Sequence, residues 1–426
     1  MNFSQRCAAL AVPVLLAATM QQTVLAAPVE LSVEESIALA MKNNHDIHYA
    51  QSAREKAYWS LKEAKGNKGI TVGYTALGER SSDLLAATKD KNEYANTFAL
   101  SFPLYTGGKL EDQVKQADLS LQVSELEIEA TKQQLKLDVV KNYLSVLEYG
   151  KEVQVNQDTV KNYEEHLNLV NAKFDVGVVA KTDVLSSTVD LANAQDNLIQ
   201  AQNNYNNARA AFNNTLGLPH DTEVSLQDAF LHEQYPMTLD ECLRYAILHR
   251  PEIGQYEAQT ASAKYDIKIA KSGYLPTVSL GAQQGWYDKD WPGDKNNNWL
   301  VSVTASLNVF DSGVTKAKVE QAKNNVDMVE DNYKKERDSI LLSVRQYYLN
   351  MLEADKRIAS NTATVAQAEE NLTIQKARYQ VGVGTDLDLR DTVLALDTAQ
   401  KNYIAALYDY NTSKAQLEQA MGQPVK

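Results

Sequence analysis

The feature of this chain that most constrains its fold is an internal duplication at an offset of about 205 residues. The first copy runs from Leu31 to Gly217, and the second runs from Met237 to Gly422. Landmarks of different chemical kinds repeat in the same order: Phe102-Pro103-Leu104-Tyr105 aligns with Leu307-Asn308-Val309-Phe310, and Phe174-Asp175-Val176-Gly177-Val178 aligns with Tyr379-Gln380-Val381-Gly382-Val383. This order predicts two structural repeats, residues 27-217 and 237-426, with an inter-repeat connection at 218-236.

Residues 1-26 have the pattern of a secretory signal peptide. Arg6 precedes an apolar stretch from Ala8 to Ala18, and Val24 and Ala26 place small residues where a signal peptidase cleaves. The alternative is a membrane anchor, which would need roughly 20 consecutive apolar residues. The stretch is much shorter than that, so we predict cleavage near Ala26 and export of the mature chain.

The charge balance and the lengths of the apolar runs exclude two functional classes. The chain has 42 Lys and Arg residues against 55 Asp and Glu residues, which gives a net charge of −13. A nucleic-acid-binding protein needs a basic face, and the longest basic cluster here is only Lys334, Lys335 and Arg337. Beyond residue 26 no apolar run approaches the roughly 20 residues of a spanning helix. The sequence therefore does not predict a polytopic helical transporter.

Each repeat predicts the same series of helices. Ser32 with Glu35, and Thr238 with Glu241, form capping-box patterns that start a helix. These helices are expected to continue to Lys65 and Lys271, with breaks near Asn44 and Pro251. Runs without proline follow from Gly108 to Phe174 and from Gly313 to Tyr379. Each run predicts a helix of roughly 100 Å, followed by a turn and a helix of about 35 residues.

Apolar residues recur every seven positions along these long helices. In the longest helices the repeat comprises Val139, Val146, Val153, Val160, Leu167 and Phe174 in the first copy, and Val344, Met351, Ile358, Val365, Leu372 and Tyr379 in the second. In the returning helices it comprises Val184, Leu191, Leu198, Tyr205 and Phe212, and then Leu389, Leu396, Tyr403, Tyr410 and Leu417. Such a repeat predicts left-handed supercoiling. An ordinary long helical bundle would share it, so the heptads alone do not define a function.

Four segments alternate apolar and small polar residues, as β-strands do. They are Ile70 to Leu77, Tyr94 to Tyr105, Thr277 to Tyr287 and Trp299 to Phe310. Strands of about ten residues cross an outer membrane when they are tilted, with lipid on the apolar face and water on the other. A half-buried sheet in a soluble domain would show a similar alternation, so the pattern leaves both interpretations open.

The number of strands separates these two interpretations. Four strands cannot close a barrel, and an open sheet edge in lipid leaves backbone N–H and C=O groups unpaired. Closure would therefore require several chains, and two chains would supply eight strands while three would supply twelve. Side chains fill an eight-stranded barrel, whereas a wider barrel can enclose water. The small residues predicted to face inward favour three chains.

At this point the sequence resembles the TolC-type outer-membrane efflux proteins over essentially the whole mature chain. The resemblance rests on the duplicated halves, on the paired strands that end at Tyr105 and Phe310, and on the turns that follow Phe174 and Tyr379. It implies a mostly α fold with a transmembrane β-barrel, in which a homotrimer forms a 12-stranded barrel and long coiled helices form a periplasmic α-barrel.

The resemblance also implies a function, a location and partners. Such proteins are exit ducts in the outer membrane that extend into the periplasm, and they export small molecules or proteins in tripartite efflux or type I secretion systems. A periplasmic adaptor is expected to dock on the turns and to join the duct to an inner-membrane pump. By this resemblance the docking residues are Val176, Gly177, Val178, Val381, Gly382 and Val383.

The family closes the periplasmic end with polar links and acidic rings. By position, Thr182, Asp183 and Tyr379 are implied as members of the links, while Asp388 and Asp391 are implied as the rings. Helix N-capping is the alternative role for such aspartates, because their carboxylates accept hydrogen bonds from free N–H groups. Where the best-known ducts have an arginine, this chain has Gly384.

The sequence has no signature of catalysis. It contains no P-loop, GxSxG, HExxH or CxxC motif, and His45 and His48 have no nearby carboxylate or thiol cluster that would complete a metal site. We therefore predict neither an enzyme nor a cofactor or metal site. The rival function is a structural one, an outer-membrane tether to the cell wall that transports nothing.

Overall fold

The computed structural model describes residues 29–81 and 91–425. The predicted signal peptide, residues 1-26, lies outside the described residues. The two repeats have the same order of elements, which is two helices, two strands, one very long helix and one long helix. A short strand precedes the first helix, and another lies in the connection between the repeats.

The helices pair between the repeats in order and in length. In the first repeat they are α1 (Val33–Asn43), α2 (His45–Gly66), α3 (Lys109–Asp175) and α4 (Lys181–Leu216). In the second repeat they are α5 (Leu239–His249), α6 (Pro251–Lys271), α7 (Val314–Gln380) and α8 (Asp386–Ala420). Helices α3 and α7 have 67 residues each.

Local sequence determines where the shorter helices start and end. Both predicted capping boxes are present, at Ser32 for α1 and at Thr238 for α5. Asn44 accepts a hydrogen bond from the N–H of Asp46 and so starts α2, while Pro251 occupies the first position of α6. Proline suits that position because its missing N–H would have no partner there. The two predicted helix breaks are therefore confirmed.

The strands form two separate sheets. They are β1 (Val29–Leu31), β2 (Thr71–Ser81), β3 (Lys91–Tyr105), β4 (Val224–Leu226), β5 (Thr277–Asp288) and β6 (Asn296–Ser306). Strands β1 and β4 pair in parallel, and the other four form an antiparallel sheet in the order β2-β3-β5-β6. Among the described residues, β2 and β6 each pair on one side only.

The register of the larger sheet aligns the apolar residues of all four strands. Because directly paired residues share a face, rows across the sheet are mostly of one character, although Gln284 interrupts one apolar row. One row comprises Tyr74, Phe98, Gln284 and Trp299, and the next comprises Val72, Leu100, Ala282 and Val301. A row on the opposite face comprises Thr71, Ser101, Gly281 and Ser302. The predicted alternation is therefore confirmed.

The predicted last strand is too long at its C-terminal end. We expected it to reach Phe310, but β6 ends at Ser306. The last pair in the ladder joins Ser306 to Thr277, which directly follows Pro276 and starts β5. No partner strand is present beyond this pair in the described part of the chain, so the segment that ends in Val309 and Phe310 leaves the sheet with both side chains exposed.

The predicted seam is confirmed in α7 and is partly wrong in α3. The α7 residues Val344, Met351, Ile358, Leu372 and Tyr379 are buried, and Val365 is half-buried. In α3, Val139 and Val146 are buried, but Phe174 is exposed while His166 and Val170 are buried instead. This end of α3 packs against α7 and α8, where Val170 joins a cluster that includes Leu372 and Leu389.

Small residues form much of the seam of α4. Ser187, Ala194, Ala201 and Ala208 are buried at seven-residue intervals, each three positions after a predicted seam residue. The predicted residues Val184, Leu191, Leu198 and Tyr205 are half-buried, and Phe212 is fully buried. Small side chains at such positions allow helix axes to approach closely.

Candidate functional site

The candidate site lies where the two long-helix hairpins, α3–α4 and α7–α8, make their turns. Gly177 follows α3 at a φ of +78° and Gly382 follows α7 at +82°. The N–H of Val178 donates to the carbonyl of Lys173 over 3.0 Å, and the N–H of Val383 donates equivalently to that of Arg378 over 3.0 Å. These are Schellman motifs, in which a left-handed residue, usually glycine, ends the helix.

The valines of both turns are exposed. Val176 and Val381 are each about three-quarters accessible, and Val178 and Val383 are about two-thirds accessible. A Cβ atom added to Gly177 or Gly382 would meet no other atom within 4 Å. The glycines are therefore required by backbone conformation, while the valines form an apolar surface at each tip.

Asp388 has the local role of a helix cap. Its N–H donates to the hydroxyl of Thr385 over 3.1 Å, and its carboxylate accepts from the N–H of Thr385 over 3.3 Å. Hydrogen bonds to the carboxylate from the Thr385 side chain and from the Thr385 backbone lower the pKa of Asp388 below its ordinary value. Asp391 lies on the same side of α8, three residues further on, and both aspartates are exposed.

Thr182 and Asp183 lie in the first turn of α4. The Thr182 hydroxyl is 3.4 Å from the Asp183 carboxylate, and the N–H of Asp183 donates to the carbonyl of Ala180 over 3.1 Å. Ala180, the N-cap residue of α4, makes no side-chain capping hydrogen bond. Asp183 therefore supplies negative charge at the positive end of the helix dipole.

Tyr379 is inside the protomer. Its side chain is 4% exposed, its ring centroid lies 5.3 Å from that of His166, and the Lys173 ammonium lies 4.0 Å from the ring centroid. Among the described residues its hydroxyl has no hydrogen-bond partner. Burial, with Asp386 and Asp183 nearby, raises its pKa to about 12. The phenol is therefore uncharged and contributes mainly through its ring.

A network of charged side chains connects the two hairpins, and sequence analysis did not find it. Arg390 on α8 makes a bidentate ion pair with Asp190 on α4, and its Nη1 also lies 3.7 Å from Asp386. The other carboxylate oxygen of Asp386 lies 2.7 Å from Nε2 of the buried His166 on α3. The Asp190 carboxylate raises the pKa of Arg390 above its ordinary value. Three of the four long helices are therefore joined by these four side chains.

Two lysines add further connections between the hairpins. Lys376 on α7 donates to the Asn162 side chain over 2.7 Å and lies 3.2 Å from the Glu165 carboxylate, both on α3. Lys173 on α3 donates to the backbone carbonyl of Tyr379. Charge-assisted hydrogen bonds of this kind are stronger than neutral ones. The two hairpins are therefore held together at several positions along their ends.

Gly384, where the resemblance implies an arginine in other ducts, lies against the end of α7. A Cβ atom there would lie 3.1 Å from the backbone nitrogen of Tyr379 and 3.2 Å from Cβ of Arg378. Those distances are too short for a side chain without a small backbone shift. Arg390 instead supplies a guanidinium between the hairpins, from a position four residues after Asp386.

The described residues contain neither a cluster of metal-binding side chains nor a membrane-spanning helix. Over the two described ranges, no three His, Cys, Asp or Glu side chains are close enough together to bind a metal ion. Both His45 and His48 are exposed on α2. In the same part of the chain, no helix combines the length and the apolarity that crossing a membrane requires.

The fold and the tips define a class, that of duplicated proteins whose long helical hairpins extend from an antiparallel four-stranded sheet. The model of the outer membrane efflux protein family matches residues 36–218 and 243–423, one segment in each repeat. The chain belongs to this family. It is an outer-membrane protein with a periplasmic extension, and the family consists of channel proteins rather than enzymes.

Individual relatives are distant in sequence but similar over most of their length. Outer membrane protein TolC of Salmonella enteritidis is 22% identical over 403 residues, covering 90% of this chain and 80% of that protein. The toluene efflux pump outer membrane protein TtgF of Pseudomonas putida is 24% identical, with coverage of 92% and 83%. The CmeC outer membrane channel of Campylobacter jejuni has a TM-score of 0.81 at 20% identity, with coverage of 92% and 85%.

Proposed function

We propose that three copies of this chain form the exit duct of a tripartite efflux or type I secretion system. The observation that carries the proposal is the four-stranded sheet with an apolar face and two outer strands, β2 and β6, that pair on one side only within the described residues. Each unpaired backbone group in lipid costs several kcal/mol, so the sheet requires partners at both edges. Three chains would supply twelve strands, enough to enclose water.

The proposed cargo is a small molecule or a protein, exported with energy from an inner-membrane pump. The toluene efflux relative supports the small-molecule alternative. A tether without transport would also need a closed barrel, but membership of an efflux family argues against it. We also propose residues 1-26 as a cleaved signal peptide, 27-217 and 237-426 as the repeats, and 218-236 as their connection.

The proposed docking surface for a periplasmic adaptor consists of the two turns, Val176-Gly177-Val178 and Val381-Gly382-Val383. The exposed valines support this assignment, because apolar side chains at the end of a hairpin have no partner within the described part of the chain. Cysteines introduced at Val178 and Val383 should crosslink to the adaptor in cells. A cysteine at Trp291, which is exposed in the connection after β5, is the matched control and should not crosslink. Crosslinking only from Trp291 would refute the docking surface.

The proposed gate combines the connections between the hairpins with acidic side chains on α8. Thr182, Asp183 and Tyr379 belong to its closing contacts, and Asp388 and Asp391 would form two rings of three carboxylates around the trimer axis. Arg390 would supply the charged link between the hairpins that Gly384, which has no side chain, cannot make. Rings of carboxylates make a pore cation-selective and bind multivalent cations.

Separate variants distinguish an acidic ring from a helix cap. Replacing both Asp388 and Asp391 by alanine should remove block by trivalent cations and reduce cation selectivity in planar bilayers. Thr385→Val removes the capping hydroxyl of α8 but retains both carboxylates, so it should leave block and selectivity unchanged. If the threonine variant loses the block and the double alanine variant retains it, the aspartates are caps and the ring lies elsewhere.

A further inference from the structure

Lysines are concentrated at the four junctions where the large sheet meets the helices. The junction segments are residues 65–70, 106–109, 268–276 and 307–319. They contain seven lysines and one carboxylate, Asp311, although the whole chain has a net charge of −13. The lysines are Lys65, Lys68, Lys109, Lys268, Lys271, Lys316 and Lys318, and all seven are exposed. All four junctions lie at the same end of the sheet, since each strand meets its helix there.

Three carboxylates near this end have partners within the chain. The Asp311 carboxylate accepts from the N–H groups of Gly313 and Thr315 over 3.0 and 2.7 Å. Glu111, in the first turn of α3, pairs with Lys68 at 3.1 Å, and Glu320 on α7 pairs with Lys323 at 2.8 Å. The remaining lysines closest to the sheet make no ion pair within the described residues; they are Lys65, Lys109, Lys271, Lys316 and Lys318.

Helix dipoles explain only some of these lysines. Lys65 and Lys271 lie in the last turns of α2 and α6, where a cation is favourable. Lys109 and Lys316 lie instead in the first turns of α3 and α7, where the helix dipole opposes positive charge, and Lys318 lies one residue beyond the first turn of α7. Lys316 acts on Glu320, whose pKa is lowered mainly by Lys323 and also by Lys316. Lys109 and Lys318 make no ion pair among the described residues, so a negative partner outside the chain would stabilise them.

Two of these three lysines line one cavity. It has a volume of about 490 Å³ and lies between the start of α3, the end of α6 and the start of α7. Lys109 and Lys318 line it together with the buried Ser272 and Thr315. The one carboxylate in its lining, Asp266, accepts a hydrogen bond from the Gln116 side chain over 2.7 Å. The lining of the cavity thus contains two lysines against one carboxylate.

We propose that the junction lysines bind the phosphate groups of anionic phospholipids in the leaflet that faces the periplasm. In this proposal the apolar rows of the sheet contact the acyl chains of the outer membrane. The junctions, which come directly after the strands, then lie at the level of the lipid headgroups. Basic side chains next to a membrane segment attract anionic lipids, and the attraction falls with ionic strength. The inference rests on the outer-membrane location and not on the proposed duct or its trimeric state.

The test uses full-length protein reconstituted in vesicles with equal amounts of phosphatidylglycerol and phosphatidylcholine of the same acyl chains. Lipids that remain bound after gentle detergent extraction are counted by native mass spectrometry. We expect an enrichment of phosphatidylglycerol of about five-fold or more, since one basic residue near a charged leaflet raises the affinity for anionic lipid by about that factor. Raising the salt concentration before extraction should reduce the enrichment.

Three matched variants make the result specific. Replacing Lys109, Lys316 and Lys318 by glutamine should abolish the enrichment, whereas replacing the same three by arginine should retain it. The control replaces Lys151, Lys161 and Lys335, which are exposed elsewhere on α3 and α7, by glutamine and should also retain it. Equal binding of both lipids by the wild type, or unchanged enrichment in the junction glutamine variant, would overturn the proposal. So would a junction variant that alters only ion selectivity, since the lysines would then face the lumen.

Discussion

At the scale of single residues, the Arg390–Asp190 ion pair is the contact that most directly ties one hairpin to the other. Its side chains are about three-quarters buried or more, and removal of one partner leaves the other charge poorly solvated. We expect Arg390→Ala to destabilise the protein by about 1 to 3 kcal/mol in thermal unfolding, and to raise conductance in planar bilayers.

A second ion pair provides the control for this prediction. Arg357 lies 3.0 Å from Asp409, but it joins α7 to α8 within one hairpin. Arg357→Ala should therefore leave conductance unchanged. Equal conductance changes in both variants would show that the Arg390 effect is not specific to the contact between hairpins.

Tyr379 is expected to act through its ring. Because its hydroxyl has no partner in the described structure, Tyr379→Phe should change stability by no more than about 1 kcal/mol and should leave the gate closed. Tyr379→Ala removes the ring that packs on His166 and should open the tips, measured as higher conductance. A Phe variant that opens as far as the Ala variant would show that the hydroxyl makes a contact with another chain.

Glu148 on α3 should make stability depend on pH. Burial, with Glu152 and Asp409 nearby, raises its pKa from 4.5 to about 7. The folded state then binds the proton more tightly than the unfolded state, so the free energy of unfolding should fall as pH rises from about 4.5 to about 7. Glu148→Gln should flatten this slope in thermal unfolding, while Glu129→Gln, at an exposed position of α3, should not.

At the scale of elements, variants of the glycine turns test folding and adaptor docking separately. Gly177→Ala forces a left-handed conformation on alanine and should cost about 1 kcal/mol, while the valine surface stays intact. With the crosslinking cysteines placed instead at the exposed Val176 and Val381, Val178→Asp together with Val383→Asp should abolish crosslinking to the adaptor without loss of stability. If the alanine variant loses crosslinking and the double aspartate variant does not, docking depends on the backbone of the turn and not on the apolar surface.

Element boundaries were predictable where a local signal marks them. Ser32, Thr238 and Pro251 start helices through their own side chains, and Gly108 and Gly313 take positive φ before α3 and α7. The end of β6 was not predictable, because it depends on where the partner strand begins. The parallel pair of β1 with β4 was also missed, since three-residue strands almost 200 residues apart leave no periodic pattern.

The candidate site was predictable only in part. The glycine turns are marked by local sequence, whereas Thr182, Asp183 and Asp388 were implied by position through the family resemblance. His166 meets Asp386 across 220 residues, and Asp190 meets Arg390 across 200 residues. One signal was available, since His166, Asp190 and Arg390 are titratable residues that each adjoin a heptad position, at Leu167, Leu191 and Leu389 respectively.

At the scale of the whole molecule, the chain is a duplicated unit with its large sheet and its hairpin turns at opposite ends of the long helices. One sheet of four strands leaves two edges to be paired, which connects membrane insertion to oligomerisation. Insertion should therefore fail under conditions in which the chains stay separate.

The central claim, that this chain forms a trimeric duct, is tested most directly by single-channel recording from purified protein whose mass has been measured in mild detergent. We predict a species of three chains that produces cation-selective conductance steps, with larger steps for Arg390→Ala. A folded monomer that inserts into the bilayer would contradict the claim. So would a three-chain species that inserts but passes no ions, both as wild type and as Arg390→Ala.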